Sequence, residues 1–436
     1  MTFDPRETFD ELSEYALTRP KINTHCHQLP ARETREFNLD KLLRNSYINW
    51  CGISWDTSTR SRSELLEKVR VNSYFIWLQK SLSQLYGIEA PLTGSNWETW
   101  DGAIQKAYQD PMHSDQIRSG KCAYKKSILD AYWDPGSDNG LPEQFIPTFR
   151  VNAFFFGYST AAADHDGNNP YTLYPRTFIT DLDEYVAWVR DCILAHKASG
   201  CAALKIPIAY DRGLDFHEVS TDQACKAFSR LTAAAPTKQG RLENPTFPVN
   251  SPAGPSTDLP TSAERGDLKT FQDYLFFQIC RIAAEAGLPV QIHTGMGQGD
   301  RTNALQLQET LSKFPETRFV LLHCSYPWIE DMSYLITKYP NVYPDLSWVP
   351  LLSTQAAITL LHDLIERSTL DRICWGCDTW TPEESYGSLL ALCFVLASVL
   401  TKKIADGYFQ LQDAFCILDH ILFDNPHRLY EPDRAG

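Results

Sequence analysis

Positive charge is what this sequence is short of: 54 Asp and Glu stand against 40 Lys and Arg, a formal net charge of −14. Nucleic acid and anionic membrane surfaces attract basic patches, so the balance argues against both and for a small-molecule partner. The opening residues Met1-Thr2-Phe3-Asp4 also lack a basic region followed by an apolar core, so no signal peptide is expected and a cytoplasmic location is. The longest apolar run, 389–400, is too short for a membrane helix and reads as a buried one. A disulfide framework is missing too. The twelve cysteines are scattered through strand-like and helix-like stretches, and Cys374-x-x-Cys377 has no second CxxC to complete a zinc ribbon. Free thiols are the expected state. No internal repeat of 20–50 residues stands out, and the sequence leaves homo-oligomerisation open.

What is present is an ordinary globular composition, 43% hydrophobic and 22% charged, over 436 residues, enough for one large domain with insertions. Strand-like runs are expected at 21–25, 126–132, 145–151, 202–206, 288–293, 319–323, 341–345 and 372–378, with helical patterns between most of them. Eight such units in alternation predict an α/β fold, a TIM (β/α)8 barrel spanning 1–436 as a single domain. Two insertions interrupt the rhythm. Residues 31–123 follow the first strand with helical spacing (Leu65, Val69, Ile76) and an aromatic surface, which we read as a cap over the barrel mouth. Residues 231–266, rich in proline, read as an active-site loop after the fourth strand, followed by a helix capped by Asp267.

The chemistry-bearing residues gather at one geometric position. On a strand, residues i and i+2 share a face, so His25 and His27 project together. His293, His323 and Asp378 each end a later strand, where a parallel barrel builds its active site. Imidazole nitrogens and a carboxylate suit zinc or another divalent metal, one or two ions per chain. Lys205, at an inward-facing position on the fourth strand, costs desolvation unless it is paired or chemically changed. With carbon dioxide on its amine it becomes an anionic carbamate able to bridge two metals; otherwise it is a salt-bridged or substrate-binding lysine. Arg212 and Arg301, beyond the fourth and fifth strands, and Trp348 and Trp380, beyond the seventh and eighth, are candidate substrate contacts.

The order His-x-His, Lys, His, His, Asp along these strands resembles the amidohydrolase superfamily, and the strand-four lysine is similar to its binuclear, carboxylated-lysine members, such as phosphotriesterases and dihydroorotases. The strings LKIPIAYDRGLDF, IHTGMGQGD, LLHCSYPW, NVYPDLSW and GCDTWTPEE more closely resemble the amidohydrolase-2 group, including the domain fused to glutamine synthetases in nodulin-type proteins. The insertion after the first strand is similar to that of uronate isomerases, which lack the lysine. The resemblance implies that His25, His27 and Asp378 hold one metal, that His293 and His323 hold a second, and that carboxylated Lys205 bridges them. It further implies that Asp378 acts as general acid and base in hydrolysis of an amide, lactone or ester of a small, carboxylated substrate. An isomerase or decarboxylase on the same barrel is the competing expectation.

Overall fold

The computed structural model describes residues 4–234 and 262–431. Helix α1 (Pro5–Thr18) starts where the Asp4 side chain accepts from the Arg6 backbone N–H at 2.9 Å, a cap that leaves the acidic stretch facing outward. Strand β1 (Lys21–Cys26) is buried along its whole length, as a strand covered on both faces must be. The insertion that follows is helical throughout: α2 (Leu39–Arg44), α3 (Thr59–Val69), α4 (Ser73–Tyr86) and α5 (Trp97–Ala107) precede β2 (Tyr124–Leu129). Then come β3 (Phe145–Arg150), α6 (Leu182–Ala198), β4 (Ala203–Ile206), α7 (Thr221–Ala234), α8 (Ser262–Ala286), β5 (Val290–His293), β6 (Phe319–Leu322), α9 (Ile329–Lys338) and β7 (Val342–Asp345). Helices α10 (Thr354–Arg367), α11 (Pro382–Ala405) and α12 (Leu411–Asp419) follow.

The chain divides into two compact units. The first holds residues 1–129, 138–146 and 345–436. Within it β1 and β2 pair in parallel, Asn23 opposite Ser127 and Cys26 opposite Leu129, and Asp345 makes a single parallel bridge to Cys374. That bridge is all that represents the expected eighth strand among the described residues. Segment 375–379 instead pairs with the end of β1 through backbone bonds from Thr24 N to Trp375 O, Asp378 N to His25 O and His27 N to Thr379 O. The approach is so close that a Cβ at Gly376 would lie 2.3 Å from the His25 nitrogen, so only glycine fits there.

The insertion brings its own core, with Leu42, Leu65, Trp100 and Ile104 fully buried. The helical spacing over Leu65, Val69 and Ile76 falls on two helices, α3 and α4, and while Leu65 and Val69 are buried, Ile76, on the second helix, is 36% exposed. Three side chains of the insertion, Tyr86, Tyr108 and His113, close on the buried Glu383 carboxylate at 2.8 to 3.1 Å. The 389–400 run lies within α11, a 24-residue helix holding an 18-residue window of mean hydropathy 1.8, long and apolar enough to cross a membrane by length and composition. Two thirds of that window, 67%, is buried inside the protein.

The second unit holds residues 130–137 and 147–344. Here β3, β4, β5 and β6 pair in parallel and in sequence order, Arg150 opposite Lys205, Lys205 opposite Gln291, and His293 opposite Leu322. Strand and helix alternate as the α/β class requires. Helix α7 runs to Ala234 and α8 begins at Ser262, five residues before the expected cap at Asp267, so both ends of the 231–266 stretch are helical. Its middle, 235–261, lies outside the described residues.

Candidate metal centre

In the first unit, His25, His27 and Asp378 converge. One ligand atom from each lies within 4.8 Å of the others, and both Nε2 atoms point at the same Asp378 Oδ1, from His25 at 3.1 Å and from His27 at 3.2 Å. Ligands about 2.0–2.1 Å from a tetrahedral ion lie roughly 3.3 Å apart, so these donors fit zinc or a similar divalent ion. The three come together because β1 ends at Cys26 and hands His27 to the first residue beyond it, while segment 375–379 runs alongside. Asp378 sits at φ 55°, a left-handed conformation that Asp tolerates better than most side chains.

The other oxygen of Asp378 has a partner that the sequence did not point to. Tyr47, on the 3-10 turn Tyr47–Cys51 of the insertion, donates its hydroxyl to Asp378 Oδ2 at 2.9 Å. Its own backbone N–H donates to Glu384 Oε1 at 2.7 Å, and its ring is stacked between Tyr74 and Trp348 with centroids at 5.1 and 4.9 Å. Burial pushes the Glu384 carboxyl up to about 8, with Asp378 adding to the shift and the Tyr47 N–H opposing it. Beside the triad, the carboxyl of Asp345 accepts from Thr24 Oγ1 at 2.5 Å, and burial raises its pKa as well.

Trp348 and Trp380, the candidate substrate contacts, belong to this unit and are 2% and 5% exposed. Trp380 stacks on His27, centroids 5.5 Å apart at 23°, so it backs a ligand, and Trp348 backs Tyr47 at φ 66°. The Cys377 thiol is buried and accepts from Asn23 Nδ2 and Thr379 Oγ1, both at 3.2 Å.

The second unit holds Lys205, His293 and His323, arranged differently. Lys205 is 2% exposed, and its Nζ lies 3.8 Å from Asp130 Oδ2. The same oxygen accepts from Arg150 Nη1 at 2.8 Å, and Arg150 Nη2 continues to Asp166. Arg150 Nη2 also lies 3.2 Å from His165 Nε2, whose Nδ1 meets Asp211 at 2.8 Å. Burial disfavours the charged His165 ring, but Asp166 and Asp211 outweigh it and raise its pKa; burial and Asp166 raise that of Asp164. His293 Nε2 faces the Met296 carbonyl at 3.2 Å, which leaves its Nδ1 as acceptor for His323 Nε2 at 2.9 Å. His323, Cys324 and Ser325 run at φ 64°, 47° and 61°, a strained backbone of the kind found at functional sites.

Of the two candidate arginines, Arg212 is turned inward. Its guanidinium donates to Asp273 at 2.7 Å and to Asp215 at 3.2 Å and lies over the Phe216 ring, so protein carboxylates occupy the fork that a substrate carboxylate would need. Arg301 is exposed, and its backbone carbonyl accepts from Leu214 N at 2.9 Å. Asp130 and Arg150 were overlooked, yet each stands at the end of a strand, the signal that found the histidines. Tyr47 and Glu384 carry no such signal.

A family model for amidohydrolases, Amidohydro_2, matches residues 255–431, which include His293, His323 and Asp378. Protein fluG of Emericella nidulans is 29% identical over 261 residues, covering 57% of this chain and 27% of that protein, so the chain spans little more than a quarter of its relative. Among solved structures, a uronate isomerase from Thermotoga maritima superposes with TM-score 0.71 at 14% identity, over 99% of this chain and 100% of that one. A candidate metal-dependent hydrolase from Lactobacillus casei gives 0.65 at 17%, over 97% and 98%. At such identities these two speak for the fold, and they bear out the expected α/β barrel class. The matched segment and the relative make the chain similar to amidohydrolases over part of its length, and the solved structures share its fold.

Proposed function

We propose that the chain is a metal-dependent hydrolase that cleaves an amide, lactone or ester bond of a small substrate. The observation that carries this reading is the convergence of His25 and His27 on one oxygen of Asp378 while Tyr47 holds the other. Bound there, a divalent metal would lower the pKa of a water molecule to about 7 and supply a nucleophile at neutral pH. Asp378 then receives the proton lost by the attacking water and returns it to the leaving group. The Tyr47 hydroxyl fixes the carboxylate's orientation for that role. Trp380, stacked on His27, keeps bulk water from one side of that ligand.

Lys205 is read as an ammonium paired with Asp130 in preference to a bridging carbamate. A carbamate would set a second anion against a fully buried carboxylate, where the ammonium neutralises one. This favours one metal per chain. It also removes the strand-four lysine as an argument for hydrolysis over isomerisation. The test is turnover of the zinc-loaded protein on a panel of amides, lactones and esters beside a free hexuronate, with metal content measured on the same sample. Hydrolysis with one metal supports the reading; conversion of the hexuronate alone replaces it with isomerase chemistry; two metals, with one lost in Lys205→Ala, restores the bridged centre.

A further inference from the structure

Aromatic rings pack around the triad in the first unit, and one ring that packs against them is open to solvent. Tyr47 lies on Asp378 through its hydroxyl, Trp348 and Tyr74 cover the two faces of Tyr47, and Trp380 covers His27. Trp348 and Trp380 are the expected substrate contacts, but at 2% and 5% exposure they form the backing of this wall. Trp50 is its exposed member. It is 45% exposed and packs against Tyr47, Trp348 and Trp380 with centroids 5.7, 5.8 and 6.2 Å away.

Water-facing indole surface is unfavourable unless something covers it, and a rigid Trp presents a large flat area at little entropic cost. The wall offers few hydrogen-bonding groups: the Tyr47 hydroxyl is already on Asp378, and the buried Trp380 Nε1–H has no acceptor among the described residues. A polyhydroxylated substrate could lay its C–H face on these rings but would find few partners for its hydroxyls along the wall. A planar ring meets no such penalty, and a polar atom on its edge can accept from Trp380.

We infer that Trp50 is a specificity-determining residue of the proposed hydrolase site and that the substrate carries a planar aromatic ring next to its scissile bond. The inference rests on the metal-centre reading above. Hydroxamates, which chelate zinc through two oxygens, test it without relying on turnover. Benzohydroxamate, cyclohexanecarbohydroxamate and acetohydroxamate are titrated by calorimetry into the zinc-loaded protein, into Trp50→Ala and into Trp50→Phe, with zinc content checked in each.

Ring stacking predicts roughly tenfold tighter binding of the benzo compound than of the cyclohexane one, loss of that preference in Trp50→Ala, and partial retention in Trp50→Phe. Equal binding of the benzo and cyclohexane compounds, or a preference that survives Trp50→Ala, overturns the inference and leaves the metal centre standing. No binding by any hydroxamate to protein that retains zinc overturns both. Hydrolysis gives a second readout: Trp50→Ala raises KM for an arylacetamide several-fold more than for acetamide, and an equal effect on both amides overturns the inference.

Discussion

The strand-end residues of the first unit and those of the second obey the same placement rule and have come to different ends. His25, His27 and Asp378 converge with donor atoms aimed at one another, an arrangement of one carboxylate and two imidazoles that a cation completes. Lys205, Asp130, Arg150 and Asp166 alternate in sign and neutralise one another, while His293 and His323 share a hydrogen bond. A strand end gives a side chain a position. Its partners decide whether it is a ligand or a counter-ion.

The sharpest way to break this comparison is at Asp378. Asp378→Asn keeps a ligand atom but removes the base, so turnover is expected to fall by about 10²–10⁴-fold with much of the metal retained. Near-normal rates would sink its role. Single substitutions His25→Ala and His27→Ala should each strip the metal, and Lys205→Met should leave it; elemental analysis separates the two groups. Asp130→Asn is expected to act on stability in place of metal content, because it leaves Lys205 and Arg150 buried beside a neutral amide. The cost of breaking a buried pair is about 3–5 kcal/mol, read as a lower midpoint in urea unfolding.

Tyr47→Phe removes one hydrogen bond to a charged group, worth about 1.5–3 kcal/mol, and should lower kcat by roughly tenfold or more without loss of metal. Loss of metal instead would make the tyrosine a structural prop. The smallest effect is at Glu384, whose carboxyl rises from 4.5 to about 8 on burial. Between those values the folded state binds the proton that the unfolded chain has released, so stability falls as pH rises from about 4.5 through 8. Glu384→Gln should flatten that slope, measured as the urea midpoint against pH; an unchanged slope would assign it to another group.

Much of the frame was legible because it is written locally. Apolar runs of four to six residues placed all seven strands to within two or three positions, since a strand buried on both faces has few polar residues to blur its limits. The eighth fared worse. Segment 372–378 is apolar enough, but with glycine at 376 and positive φ at Asp378 it pairs with β1 by separate bonds and is not a regular strand. The helix expected from Asp267 begins at Ser262, and the Asp267 carboxylate, inside the helix, pairs with Arg230 on the preceding one.

At the candidate site, sequence found the residues whose role follows from their own strand and missed those whose role depends on another segment. Nothing near Tyr47 announces Asp378, 331 positions away. Arg212 looked like an anchor until Asp273, on the next helix but one, took its guanidinium. By itself, then, the sequence determined the α/β alternation, the helical insertion and the set of strand-end donors, because hydrophobic period and strand polarity are properties of short segments. The tertiary structure alone decided which donors meet and which charges cancel. It also decided which tryptophan faces water, because those depend on distances between segments far apart in the chain.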